Sequence, residues 1–216
     1  MAWLLTALVG MLVALPFVDP LERGRPFEAM LLTAVLVAAL LAVRGRVRTF
    51  TLALVLAALA VIGHWVLQLG SGPRGQVFFA VAFLAFVGFV IFHFLRFIVR
   101  APRVNSEVLC AAVATYLLLA LLWAAAYALV AQLISGSFSG VTEGQPMRGF
   151  KALYFSLITL TTIGYGDITP VSAPARMLAM LEAITGTMYM AVLIARLVSL
   201  HSSGGLTSHS RDEDRS

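Results

Sequence analysis

The sequence predicts an all-α integral membrane protein with six transmembrane helices, one shorter re-entrant helix and an irregular loop directly after it. Three observations predict this class. The 216 residues are 61% hydrophobic and only 12% charged, whereas an ordinary soluble domain is about 25% charged. Six apolar runs each approach the roughly 17–25 residues that a bilayer-spanning helix needs. A further apolar piece is too short to cross, and a glycine-punctuated stretch follows it without a break.

The six runs extend from Ala2 to Phe17, Phe27 to Val43, Phe50 to Leu69, Gln76 to Val99, Val108 to Ile134 and Ala173 to Leu200. The first lacks a basic start and a small-residue cleavage site, so it reads as a retained helix and not as a signal peptide. His64 and His93 lie inside the third and fourth runs. Intramembrane histidines can respond to protons, although packing histidines are the commoner case. The fourth run carries no Arg or Lys from Gln76 to Leu95, and Arg96, Arg100 and Arg103 follow on one helical face. Between the fifth and last runs, Gly149 to Leu160 would make roughly 18 Å of helix at 1.5 Å per residue. That length enters a bilayer without crossing it, and irregular backbone beyond it is tolerable only inside a protein-lined cavity. His201 to Ser216 is polar and rich in Ser and Gly, and reads as a disordered tail.

Charge placement sets the orientation. The connection after the second run holds Arg44, Arg46 and Arg48, and the one after the fourth holds Arg96, Arg100 and Arg103 against Glu107. The connection after the first mixes Asp19, Glu22 and Glu28 with Arg23 and Arg25, and the one after the third has only Arg74. The positive-inside rule then puts both termini in the cytoplasm and the loop after Leu160 outside. The net charge of +5 comes from these topology arginines and is no nucleic-acid footprint. Cys110 is alone, which excludes a disulfide framework or a cysteine metal site. With no phosphate loop or nucleophile motif, nothing points to an enzyme or a bound cofactor.

The stretch Thr161-Thr162-Ile163-Gly164-Tyr165-Gly166-Asp167 gives the loop its meaning. Two glycines alternate with bulkier residues, so the chain can take backbone angles that L-residues resist. Successive carbonyls can then face one axis. The stretch resembles the selectivity filter of potassium channels, and residues 108–200 resemble the outer helix, pore helix, filter and inner helix of such a subunit. The resemblance implies K+ sites at the carbonyls of Thr162, Ile163, Gly164 and Tyr165, with the Thr162 hydroxyl closing the innermost one. Gly166 permits the turn to the mouth. Carbonyl oxygens there replace the water shell of the ion. It also implies a homotetramer, since each chain supplies one filter strand, in a plasma membrane of bacterial inner-membrane type. Permeant K+ is the only ion implied, and no gating partner is named by the sequence.

Supporting residues follow from the same resemblance. Thr161 and Asp167 flank the filter. Tyr154 and Phe155 stand where many relatives have two tryptophans, and Tyr154 is expected to donate to Asp167. Ile158 replaces a buried Glu found in some relatives. Glu182, a carboxylate inside a spanning helix, is a functional-site candidate by default, expected near Thr159 or Thr161. Gly186 stands at the position of the inner-helix hinge, with close helix packing the equal alternative. Thr187, Met190 and Ile194 are expected along the cavity wall, with Ile194 and Val198 as an apolar gate.

The expected organisation is a four-helix domain over 1–104, a pore domain over 105–200 and a tail over 201–216. A voltage sensor needs several moving charges, each worth about 2.3 kcal/mol per 100 mV, and the uncharged fourth run does not supply them. Its terminal arginines read as headgroup anchors. The alternatives are a weakly selective cation channel, against which the intact Tyr165 argues, and a non-conducting regulatory or transport subunit.

Overall fold

The computed structural model describes residues 1–18, 24–43, 47–68, 73–102, 105–141 and 147–213. Its elements are α1 (Ala2–Val18), α2 (Gly24–Ala42), α3 (Val47–Gln68), α4 (Pro73–Arg100), α5 (Ser106–Leu133), β1 (Phe138–Ser139), α6 (Phe150–Leu160), β2 (Thr169–Pro170) and α7 (Ala173–Glu213). Pro73 opens α4, where a missing amide costs nothing. Asn105 caps α5 by accepting the Val108 amide at 2.9 Å, which satisfies one orphan donor of the first turn. Among the described residues, three stretches are long and apolar enough to cross a membrane: Gly75–Arg100, Ser106–Leu133 and Ala173–Val198. Ala2–Val18, Pro26–Ala42 and Phe50–Gly63 are apolar but shorter, as is Phe150–Leu160.

Close packing of small residues joins the first helices. On α3, Ala53, Ala57 and Ala60 are buried at helical spacing, and a Cβ on Gly63 would lie 3.2 Å from the Phe79 ring. Small residues let α3 and α4 approach where lipid offers no hydrophobic drive for association. Leu4, Leu8, Met11 and Leu15 form the buried stripe of α1, at the spacing of one helix face, and α1 packs on α2 and α5. Phe83, Phe86, Val90 and Phe94 of α4 join the same core as Ala114, Leu118 and Leu121 of α5.

α7 runs to Glu213. No proline interrupts it after Pro174, and extending a nucleated helix is far easier than starting one; Gly204 and Gly205 cost about 1 kcal/mol each without ending it. Among the orientation charges, Asp19, Glu22, Arg23, Arg44, Arg46 and Arg103 lie outside the described residues, as do residues 214–216.

Candidate functional site

The Thr161–Asp167 stretch is held by the carboxyl end of α6. The last four carbonyls of any helix lack intrahelical donors, and here each finds one. The Thr161 amide donates to Leu157 O at 3.0 Å, and the Thr162 amide to Thr159 O at 3.0 Å. Ile163 and Gly164 both donate to Ile158 O, at 2.9 and 3.1 Å. Tyr116 of α5 donates its hydroxyl to Leu160 O at 3.2 Å. So the carboxyl end of α6 is satisfied by the loop it supports and by Tyr116 of α5.

That bonding fixes the carbonyls. In a planar trans peptide the C=O points opposite to the following N–H, and no peptide bond is cis among the described residues. Amides of Thr162, Ile163 and Gly164 turned towards α6 therefore turn the carbonyls of Thr161, Thr162 and Ile163 away from it. Thr162, Gly164 and Gly166 have φ of 60°, 54° and 80°, in alternation with Ile163 and Tyr165. Alternating handedness keeps successive carbonyls on one side instead of flipping them as a strand does. A left-handed L-residue costs about 1–2 kcal/mol, so Thr162 stores strain that its amide bond to Thr159 O and those of the next two residues to Ile158 O hold. All seven residues of the stretch are exposed in the single chain.

Two clamps hold its outer end. Tyr154 donates to Asp167 Oδ2 at 2.8 Å, and this bond is the main cause raising the Tyr154 phenol above its ordinary value. β1 and β2 pair antiparallel, with Phe138 opposite Pro170 and Ser139 opposite Thr169. Beside them Gly140, at φ 81°, passes so close that a Cβ would lie 1.8 Å from Asp167 O. Behind the stretch, Tyr127, Phe138 and Phe155 meet edge to face at centroid distances of 4.8–5.7 Å, within the favourable range for aromatic pairs.

Glu182 is fully buried, and its partners differ from those expected. Thr159 and Thr161 bond back to their own helix, at Phe155 O (2.8 Å) and Leu157 O (2.7 Å). Tyr127 of α5 donates to the Glu182 carboxyl instead, and the single hydroxyl of Ser156 of α6 lies within hydrogen-bond distance of both that carboxyl and Ala120 O, the latter at 2.7 Å. The cluster ties α5, α6 and α7 together directly behind the stretch. A buried carboxyl demands donors, so a Ser in an apolar helix and a Tyr at matching depth were the available signals.

Gly186 serves a contact. A Cβ there would lie 2.2 Å from Leu160 O and 3.0 Å from Leu160 Cδ1, so glycine lets α7 touch the end of α6. Thr187, the next residue, bonds to Ala183 O at 2.8 Å, and from one helix turn further along α7 Met190, Ile194 and Val198 are exposed. From Ala173 to Val198 only Ala175, Glu182 and Gly186 are buried, one narrow stripe on an apolar helix. Near its far end, Arg196 donates Nη2 to Val99 O (2.9 Å) and Ala101 O (3.1 Å). It thus caps the carboxyl end of α4, where a cation is favoured.

A loop with aligned carbonyls on a short helix, between two long apolar helices, defines the membrane domain of an ion channel. Residues 111–202 match a family model described as "Ion channel". The probable potassium channel protein 2 of Methanocaldococcus jannaschii is 46% identical over 52 residues, 23% of this chain and 15% of that protein. The calcium-gated potassium channel TvoK of Thermoplasma volcanium is 42% identical over 48 residues, 22% of this chain and 14% of that protein. Two-pore potassium channel 4 of Arabidopsis thaliana is 40% identical over 48 residues, 22% of this chain and 17% of that protein. The chain thus spans under a fifth of the length of these relatives. No solved structure gives a significant match. Residues 111–202 are thus similar to ion channel domains, and short stretches of the chain are similar to proteins named as potassium channels.

Proposed function

We propose that the chain is one subunit of a potassium-selective channel, in which four copies surround a shared axis and K+ passes down its electrochemical gradient. The observation that carries this reading is the alternating backbone of Thr162 to Gly166, whose first three amides bond to α6 and whose residues are exposed. One such stretch cannot enclose an ion, and four around an axis can. The apolar residues left exposed on α7 supply the surface that neighbouring copies would cover. Carbonyls of Thr162, Ile163, Gly164 and Tyr165 then take the place of hydration water, and the Thr162 hydroxyl closes the inner site. Tyr154, Asp167 and Thr161 brace the filter from outside, and the Glu182 cluster braces it from behind. Thr187, Met190, Ile194 and Val198 line the vestibule below.

In this reading α1 to α5 and the first part of α7 span a plasma membrane of bacterial inner-membrane type, with both termini in the cytoplasm. The test is flux from liposomes holding the purified full chain. Barium-blockable K+ flux with rejection of Na+ is expected, and Gly164→Ala, strained at φ 54°, should abolish it. Equal Na+ and K+ flux, or flux indifferent to Gly164→Ala, would overturn the reading.

A further inference from the structure

A cavity of about 240 Å³ lies where α1, α2 and α4 meet α5 and the start of α6. It is separate from the Thr161–Asp167 stretch. Its lining has a polar end: Glu28 near the start of α2, Gln76 near the start of α4, Gln132 at the end of α5, and Arg148 just before α6. All four sit at helix ends on the side of the α5–α6 connection. Deeper in, Leu32, Phe83, Leu121, Ala124 and Leu153 make the wall apolar. On α5 the lining runs from Gln132 to Leu121, roughly 16 Å along the helix at 1.5 Å per residue.

The space exceeds by far the ~10–15 Å³ that one water needs, yet a stable water requires two to four polar partners, and the inner wall offers hydrocarbon. Hydrocarbon therefore suits the deep part. The volume is below the ~300–1,000 Å³ of drug-sized sites, which fits one alkyl chain and not two. The rim combines a carboxylate, a guanidinium and two amides. A carboxylate head would meet Glu28 and an ammonium head would meet Arg148, while hydroxyl, ester or amide groups can both donate to and accept from this set.

We propose that this cavity binds a single-chain amphiphile with a neutral, hydrogen-bonding head, of the monoacylglycerol type. Its tail lies between α4 and α5, and its head lies among Glu28, Gln76, Gln132 and Arg148. The floor includes Gly149, which precedes α6, and Ala152 and Leu153 within it, so an occupant touches the helix that carries the Thr161–Asp167 stretch. α1, α2 and α4 thereby gain a role as walls of a lipid site. Binding is measurable without conduction, so this inference and the channel reading can fail separately.

The test is photolabelling of the purified full chain in nanodiscs with a diazirine-bearing monoacylglycerol, followed by peptide mapping. Label should concentrate on α4 and α5 peptides around Phe83 and Ala124. Unlabelled monoacylglycerol should compete about 10-fold better than the fatty acid or the alkyl trimethylammonium of equal chain length, a difference near 1.4 kcal/mol. Ala128→Phe, at a half-buried lining position, should fill the space and cut labelling by a similar factor. Arg148→Ala, at an exposed rim residue, should weaken head discrimination in a chain whose fold it does not disturb. Labelling spread evenly over exposed helix faces, competition blind to head charge, or labelling unchanged in both variants would overturn the proposal.

Discussion

Replacing Gly186 with Ala separates a hinge from a contact, because the two readings predict opposite signs. The added Cβ would lie 2.2 Å from Leu160 O and 3.1 Å from Leu160 C, where ordinary contact begins at 3.4 Å, so α7 and the end of α6 must part by about 1.2 Å. The neighbour is backbone, already fixed by the Tyr116 hydroxyl and continuous with the strained Thr162, so it cannot rotate away as a side chain would. Overpacking of this kind costs about 1–3 kcal/mol, and Ala returns about 1 kcal/mol of helix propensity. A backbone obstacle belongs at the upper end of that range, leaving a net loss of about 1–2 kcal/mol. The assay is thermal denaturation of the purified full chain in nanodiscs with K+ present, alongside liposome flux. Gly186→Ala should melt lower and conduct less, and adding Leu160→Ala should not restore it, since the carbonyl stays. A variant that melts higher with flux retained would refute the contact and restore the hinge.

Four further outcomes follow from the same geometry. Glu182→Gln should keep near-normal stability because an amide can accept from Tyr127 and still pair with Ser156; Glu182→Leu should lose about 1–3 kcal/mol by orphaning a buried hydroxyl, and equal loss in both variants would contradict this in a melting assay. Tyr154 donates to Asp167 only while protonated. Its folded value is raised, so the bond is fully present below the ordinary phenol pKa near 10 and is lost as pH rises through the folded value; patch recordings at alkaline pH should show altered inactivation in the wild type and none of that change in Tyr154→Phe. Gly140→Ala places a Cβ 1.8 Å from Asp167 O, and should abolish K+ flux while leaving helix content by circular dichroism unchanged. Arg196→Ala uncaps α4 and releases it from α7, and should change open probability in single-channel recordings more than the ion preference.

Residues 161–167 were legible because their chemistry is local. Gly164 and Gly166 signal positive φ by themselves, and an apolar helix too short to cross forces a loop into the interior. The Tyr154 bond to Asp167 was also within reach, as both lie close in sequence to the filter. What resisted reading depends on contacts across the chain. Glu182 announced a need for donors but not their address; the nearer threonines bond to their own helix, and Tyr127 lies 55 residues away. Gly186 carried two meanings until the distance to Leu160 O was known. Gly140 and Arg196 gave no local sign at all, since each is defined by a backbone group brought to it from elsewhere.

The most direct test of the account is ion density in an experimental structure of the purified protein, solved once in K+ and once in Na+ alone, with Rb+ as the anomalous probe. The account predicts four copies about one axis, with a row of dehydrated ions at the carbonyls of Thr162, Ile163, Gly164 and Tyr165 in K+ and a different or collapsed row in Na+. An assembly without a shared axis, or a row of ions indifferent to the exchange of K+ for Na+, would contradict it.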